Sequence, residues 1–254
     1  MARVTLLGSG GGAVGGGAPP TILTGLIGWW DASVFASMTI SSAPAIDAIA
    51  DQSGGGHTMN WAGFAKPTYA ATGFNTTKPA MVFNNSHAFT ATSFPMGTGN
   101  TLTAWYVGTM CNPAAGSNGD ARALDYIASG GNDWDNDGSW AAYRNGTSSQ
   151  IATFLRNLVA ASTAATVTAY PAPHRFIYTI NSSGLMTIYV DGVSMATATK
   201  SGNWVSGGVL QIGKATGFAN FWNGPIAEVG VATGYSDATT VAALDTYLKN
   251  KWGL

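Results

Sequence analysis

RFIYTI-NSSG-LMTIYV-DG-VSMATAT, residues 175–199, is the stretch that decides the fold. It holds three apolar runs separated by turn residues, which is the pattern of consecutive antiparallel strands. Asp191 and Gly192 form the second turn, because this pair accepts the positive φ angles that a two-residue type I′ hairpin requires. Both faces of the middle strand, residues 185–190, carry apolar side chains. We therefore expect this strand to lie between two other layers.

Short apolar or alternating runs recur on both sides of this hairpin, with turn residues between them. Runs at this spacing indicate an all-β sandwich or barrel rather than an α/β fold. They are KPAMVFNN (78–85), TLTAWYVGTM (101–110), GGVLQIGK (207–214) and GPIAEVGVA (224–232).

One segment, about residues 237–251, predicts a helix. Ser236 or Asp237 can cap its N-terminus, and Gly253 stands where a C-cap glycine belongs. Its apolar residues recur at helical spacing, so Leu244 and Leu248 should pack onto the sandwich and hold the helix against it. These residues are Val241, Leu244, Leu248 and Trp252.

The composition excludes several classes of function. Only 9% of the residues are charged and the formal net charge is -1, so the chain lacks the concentrated basic surface that nucleic acid or an anionic membrane needs. Cys111 is the single cysteine, which rules out an intramolecular disulfide and a thiolate metal cluster. The three histidines stand in separate turn-like contexts without a serine or cysteine nucleophile motif. A surface with so little charge favours association with other protein, including homo-oligomers.

The first 20 residues, MARVTLLGSGGGAVGGGAPP, form a glycine-rich arm that ends near Pro19 and Pro20. Glycines interrupt every apolar run in it, which argues against a secretion signal and against a membrane span. Two interpretations stay open: a disordered leader, or an arm that orders on a partner. In the second interpretation Val4, Leu6 and Leu7 are its anchor residues, and residues 21–254 form the domain.

Several stretches, taken together and in order, resemble the concanavalin A-like (LamG-like) superfamily, in particular the versions found in bacteriophage structural proteins. The resemblance covers roughly residues 25–254 and implies an antiparallel two-sheet jelly-roll sandwich. It also implies loops at one rim that bind carbohydrate or calcium in some members. At residues 83–85 the sequence has Phe-Asn-Asn where the family often has an acidic residue after the Phe, which weakens the carry-over of the family's calcium or sugar site to this position. The stretches are GLIGWWDAS, ADQSGGGHTM, TGFNTTKPAMVF, IYVDG, GGVLQIGK, FWNGPIAEVGV and LDTYLKNKWG.

Glu228 is the only glutamate in the chain and the first residue to weigh as a catalyst. Glycoside hydrolases of related fold place two carboxylates across the sugar. Here Glu228 has no second carboxylate two or five residues later, and its segment is strand-like and apolar. We therefore predict a structural role for it, as an acceptor of hydrogen bonds inside the sandwich.

The motif D-W-D-N-D-G at residues 133–138 matches the first half of a calcium-binding loop. The second half is missing, because Arg144 stands where the bidentate glutamate belongs. An empty acidic surface turn is the alternative. Calcium is the one cofactor that we consider, and its candidate ligands are Asp133, Asp135 and Asp137, with Asp120 and Asp125 as helpers.

Three tryptophans in or beside turn-like segments are candidates for exposed contact with a carbohydrate or a protein partner: Trp134, Trp140 and Trp222. An exposed indole stacks on sugar rings and anchors protein interfaces because it buries a large apolar area with little loss of rotamer entropy.

Three functional hypotheses result. The first is a non-catalytic virion structural protein, a phage head or tail decoration, fibre or spike component, which the arm anchors to other virion proteins. The second is a lectin-like carbohydrate-binding module that contacts host surface glycans. The third, a glycoside hydrolase, requires activity that depends on Glu228.

Overall fold

The computed structural model describes residues 20–61, 63–97, 99–109, 121–128, 138–144, 151–155, 162–167, 172–199, 203–215 and 220–254. Within these ranges the chain forms two antiparallel β-sheets packed face to face, one short 3-10 turn at Phe35–Ser37 and one C-terminal helix. The predicted all-β jelly-roll sandwich with a terminal helix is confirmed.

The first sheet has eight strands and carries the hairpin region that decides the fold. Its strands are β1 (Leu26–Asp31), β5 (Thr68–Phe74), β6 (Lys78–Asn84), β8 (Leu102–Thr109), β13 (Pro173–Ile180), β14 (Leu185–Val190), β15 (Val193–Thr199) and β17 (Asn223–Ala232). They lie in the order β15-β14-β13-β8-β17-β6-β5, and β1 pairs with β17.

The second sheet has nine strands. They are β2 (Met38–Thr39), β3 (Ala48–Ile49), β4 (Met59–Trp61), β7 (Phe89–Phe94), β9 (Ala121–Ile127), β10 (Trp140–Arg144), β11 (Ile151–Leu155), β12 (Ser162–Thr166) and β16 (Gly208–Ile212). Their order is β12-β11-β10-β9-β16-β7-β4-β3-β2.

The 175–199 stretch forms the predicted strands. Asp191 and Gly192 have φ angles of 51° and 82°, and Val190 pairs with Val193 across this two-residue turn. The even-numbered residues of β14 belong to the core between the sheets, whereas Tyr189 packs against the layer outside. The strand thus lies between two layers, as its two apolar faces predicted.

The helix α1 (Ala238–Trp252) covers the outer face of the eight-stranded sheet. Asp237 accepts a hydrogen bond from the Thr240 N–H, and Gly253 ends the helix in the left-handed region with φ 69°. Leu244 and Leu248 are completely buried against that face, as predicted.

A buried carboxylate connects the helix to this sheet. Glu228 on β17 has no exposed surface, and its Oε1 accepts hydrogen bonds from the indole N–H groups of Trp29 (2.8 Å) and Trp105 (3.3 Å). Its Oε2 accepts from the indole N–H of Trp252 (2.8 Å) and from Lys251 Nζ (2.8 Å). The prediction that Glu228 accepts hydrogen bonds is confirmed, but its predicted place is wrong. The carboxylate lies under the helix on the outer face of the eight-stranded sheet rather than inside the sandwich, and its donors are three tryptophans and a lysine.

A second charged contact holds the middle of the helix. Arg175 on β13 donates from Nε to Asp245 Oδ1 at 2.7 Å, and its backbone N–H donates to Asp191 Oδ1 at 3.0 Å. His174 Nδ1 lies 2.6 Å from Asp191 Oδ2. The hairpin turn, β13 and α1 are therefore joined by one network of charges.

Gly230 on β17 leaves space for the ring of Trp105, one of the donors to Glu228. Substitution of this glycine therefore tests how much the contacts of Glu228 contribute to stability. A Cβ at this position would lie 2.0 Å from Cζ2 of Trp105. We expect Gly230→Ala to displace this indole and to lower the free energy of unfolding by about 3 kcal/mol, because overpacking a dense core costs energy. Chemical denaturation measures the change. Gly99→Ala is the control, since a Cβ there meets no atom within 4 Å. Equal stability of the two variants would contradict the prediction.

The Asp191 contacts predict a dependence of stability on pH. Burial alone would raise the pKa of Asp191, but the hydrogen bonds from His174 and from the Arg175 N–H lower it below its ordinary value. The ionised Asp191 carboxylate therefore stabilises the folded state at pH values above the ordinary aspartate pKa of about 3.9. This contribution is lost as the pH falls through the pKa of Asp191 in the folded state. We expect Asp191→Asn, which keeps a favourable Asn-Gly turn, to reduce stability near neutral pH and to match the wild type in strong acid. Denaturant unfolding across this range measures it, and two parallel curves would contradict the prediction.

Candidate functional site

Strand ends from both sheets meet at one rim of the sandwich. Trp61 at the end of β4 pairs with Phe89 at the start of β7, and Phe89 pairs with the end of β16. In the other sheet the end of β6 pairs with the start of β17. The short connection between β6 and β7 brings the two sets of ends together. The Asn85 N–H also donates to the Trp222 carbonyl at 3.1 Å.

An exposed aromatic cluster lies at this rim. Trp61 is 42% exposed and Phe64 is 40% exposed, although both are large apolar side chains. The indole N–H of Trp61 donates to the backbone carbonyl of Phe64, which fixes the indole against its own loop. The ring of Phe221 meets that of Phe64 edge-on with 5.4 Å between centroids. We call Trp61, Phe64, Phe221, Lys66 and Lys214 the rim patch.

The two lysines of the rim patch pack on its aromatic rings. Lys66 Nζ lies 4.7 Å from the centre of the Trp61 ring, and Lys214 Nζ lies 4.5 Å from that of Phe64. Lys66 also forms a salt bridge with Asp47. Its hydrogen bond lowers the pKa of Asp47 below the ordinary value, so this carboxylate is ionised beside the patch. The patch is thus aromatic, and Asp47 neutralises one of its two lysine charges.

Exposed polar residues border the rim patch. Asn84, Asn85 and Ser86 are all exposed, and the Ala65 N–H donates to the Ser86 carbonyl at 3.0 Å, which holds the β6–β7 loop beside Phe64. The arrangement combines exposed rings with amide and hydroxyl groups. Such a surface can stack on an apolar face of a ligand and form hydrogen bonds with its polar edge.

The structure corrects two of the three tryptophan predictions. Trp140 and Trp222 have no exposed surface, so neither indole can contact a ligand at the surface. Trp140 stacks on Tyr126 and Trp222 meets Tyr106 edge-on, both in the core between the sheets. A tryptophan beside a turn still points inward when its position faces the partner sheet.

The remaining predicted site residues fall outside the described residues. They include the third tryptophan, the acidic turn and the arm, so the calcium site and the anchor stay predictions. Among the described residues no group of three His, Cys, Asp or Glu side chains could hold a metal ion. Of the two helper carboxylates, Asp125 is described and is completely buried on β9. The predictions concerned are Trp134, Asp133, Asp135, Asp137, Asp120, Val4, Leu6 and Leu7.

Trp61 is not among the three tryptophans that the sequence suggested as exposed contacts. The stretch W-A-G-F-A-K-P at residues 61–67 carried a usable signal, since it combines two aromatic residues and a lysine with glycine and proline. Gly63 has a φ of 80°, so this segment is a turn that cannot continue β4 into the core. Aromatic side chains in such a turn are candidates for exposure.

A family model described as the concanavalin A-like lectin/glucanases superfamily matches residues 83–242. The chain belongs to this superfamily. A search of curated protein sequences gave no match. Within the described ranges, no helix of this superfamily member is long and apolar enough to cross a membrane.

Solved structures share the fold at low sequence identity. The binding domain of paraclostridial mosquitocidal protein 1 is 11% identical with a TM-score of 0.63, and the match covers 90% of this chain and 55% of that one. The binding domain of botulinum neurotoxin serotype G is 13% identical with a TM-score of 0.60, and the match covers 88% of this chain and 51% of that one. The chain therefore spans about half the length of these two structures. Domain 4 of AbnA, a GH43 arabinanase from Geobacillus stearothermophilus solved with arabinotriose, is 10% identical with a TM-score of 0.61, and 87% of this chain matches 98% of that domain.

Proposed function

We propose that the chain is a non-catalytic, lectin-like module that binds glycans at the rim patch. The observation that carries this proposal is the exposure of Trp61, the last residue of β4, and of Phe64, whose backbone carbonyl accepts a hydrogen bond from the Trp61 indole. In a soluble domain, large exposed aromatic residues that lie together indicate a contact surface.

The physical chemistry of the patch suits a sugar. One face of a pyranose or furanose ring is lined by C–H groups, which pack on an indole or phenyl face, whereas its hydroxyls need hydrogen-bond partners at the edge. The exposed Asn84, Asn85 and Ser86 stand beside the rings and can supply such partners. The arabinotriose complex of AbnA domain 4 supports the proposal, because a domain of this fold and size takes an oligosaccharide.

The carboxylates argue for binding without hydrolysis. Hydrolysis of a glycosidic bond needs two carboxyl groups that flank the scissile bond. The single glutamate, Glu228, is completely buried and its oxygens accept four hydrogen bonds, so it cannot reach a sugar. Asp47, the carboxylate beside the rim patch, forms a salt bridge with Lys66.

Glycan-array screening followed by calorimetric titration tests the proposal. We expect a bound oligosaccharide whose affinity falls at least about tenfold in Trp61→Ala, because the stacking surface is lost, and a tenfold loss corresponds to about 1.4 kcal/mol. Tyr235→Ala is the matched control, since Tyr235 is 41% exposed and lies at the opposite rim. Equal loss in both variants, or no glycan binding, would contradict the proposal. Titration with and without added calcium tests the proposed ion in the same experiment.

We also propose that the module is a virion component, in keeping with the charge-poor composition. The β15 strand supports this role. It stands at one edge of the eight-stranded sheet, carries no charged side chain, and exposes Val193 (59%) and Met195 (42%). A sheet edge without charged side chains can accept an added strand from a neighbouring protein or a second copy of the chain. The N-terminal arm is the proposed source of the anchoring contact with other virion proteins.

Deletion of residues 1–20 tests the virion proposal, because it removes the glycine-rich arm. We expect the shortened protein to remain folded by circular dichroism and to be missing from purified particles that contain the full chain. Retention of the shortened protein in the particles at the level of the full chain would contradict the anchoring role.

A further inference from the structure

Three reactive groups meet in the buried layer between α1 and the eight-stranded sheet. Lys251 Nζ lies 2.6 Å from Asp31 Oδ2 and 2.8 Å from Glu228 Oε2. The Asp31 and Glu228 side chains have no exposed surface and that of Lys251 is 13% exposed. Asp31 and Glu228 are direct cross-strand partners on β1 and β17. One amine therefore contacts two carboxylates almost entirely out of water.

We propose that Lys251 and Asp31 condense to an intramolecular isopeptide bond, with Glu228 as the proton carrier. The bond would join Nζ of Lys251 to Cγ of Asp31. It is a covalent modification of the chain by its own side chains and is independent of glycan binding.

The distance between the groups suits the reaction. An Nζ that is hydrogen-bonded to a carboxylate oxygen lies about 3.5 Å from the carboxyl carbon, which is the separation of a near-attack arrangement. The two residues are held in place from both sides, Asp31 by the Ser33 N–H that donates to its Oδ1 and Lys251 by the Tyr247 hydroxyl at 2.9 Å. Little motion is needed to bring nitrogen and carbon together.

Burial alone would lower the pKa of Lys251, but the charges of Glu228 and Asp31 raise it above the ordinary value. The resting group is therefore the ammonium, and the reaction needs Glu228 to remove its proton. In a site of low dielectric constant, transfer of a proton from the ammonium to a carboxylate removes two charges that solvation no longer stabilises. The rings of Trp29 and Trp252 lie 4.8 Å and 5.4 Å from Nζ, at cation–π distance, and pack on the ammonium of the resting state. The amide product is neutral, so its formation also ends the burial of one ion pair.

The proton balance of the step closes within the three groups. Glu228 Oε2 takes a proton from the Lys251 ammonium and passes it to the Asp31 carboxylate, which leaves a free amine and a carboxylic acid. The amine attacks Cγ and forms a tetrahedral intermediate. Glu228 then moves a second proton from nitrogen to the departing hydroxyl, and one water molecule leaves. The ammonium and the carboxylate thus give an amide and water, and Glu228 ends as it began.

Glu228 is suited to this role by its surroundings. Its three indole donors hold the carboxylate so that Oε2 faces the lysine. Burial raises the pKa of Glu228, which makes this carboxylate a better proton acceptor than a glutamate in water.

The mass of the intact, purified full-length protein tests the proposal. We expect it to be lower than the sequence mass by one water molecule, and proteolysis to release a branched peptide that joins the Asp31 and Lys251 segments. Lys251→Met and Asp31→Ala should restore the full mass. Lys249→Met is the matched control, because Lys249 is an exposed lysine of the same helix and should leave the water loss unchanged.

The variant Glu228→Gln tests whether formation of the isopeptide bond requires the Glu228 carboxylate as proton carrier. We expect this variant to keep the full mass, because an amide cannot accept the lysine proton. Folded wild-type protein with the full sequence mass and no branched peptide would overturn the proposal. This result is decisive even if the Lys251 or Asp31 variants fail to fold, since it needs only the native chain. Water loss in Glu228→Gln equal to that of the wild type would overturn the role of Glu228.

Discussion

A carboxylate buried without partners would cost several kcal/mol, and the outer layer of this domain is organised around avoiding that cost at Glu228. Three indole N–H groups and one ammonium converge on its two oxygens. Two of these donors, Trp252 and Lys251, come from the last turn of α1, so the carboxylate also determines where the helix lies on the sheet. The Arg175–Asp245 pair adds a second point of attachment, which prevents rotation of the helix about the first.

This arrangement of the outer layer restricts where a ligand can bind. The helix covers the outer face of the eight-stranded sheet, and the space between the sheets is filled by a continuous core. The rim is where aromatic side chains at the ends of several strands reach the surface. Because Trp61 lies at the end of β4, a regular strand, its position needs little reorganisation when a ligand arrives, which lowers the entropy cost of binding. The β4, β7 and β16 ends at the rim patch belong to the nine-stranded sheet, whereas α1 packs on the outer face of the eight-stranded sheet.

The sequence predicted those features whose causes are local. The Asp191-Gly192 turn and the caps of α1 depend on neighbouring residues, and the structure has them as predicted. Exposure of a tryptophan depends instead on which layer lies above it, so Trp140 and Trp222 could not be distinguished from Trp61 by their place beside a turn. The three tryptophans that donate to Glu228 are 199, 123 and 24 residues away from it along the chain, and no sequence spacing predicts contacts at such separations.

The buried tryptophans have two different structural roles: some donate hydrogen bonds to Glu228, and others fill the core between the sheets. Trp29, Trp105 and Trp252 donate to a buried charge, and Trp30, Trp140, Trp204 and Trp222 belong to the core between the sheets. Among the described tryptophans, only Trp61 is largely exposed. A high content of tryptophan is thus no evidence for glycan binding by this chain, since the described tryptophans other than Trp61 are buried. The binding surface is indicated instead by the one described indole that the fold leaves largely in solvent, that of Trp61, because core packing does not account for a large apolar side chain at an exposed position.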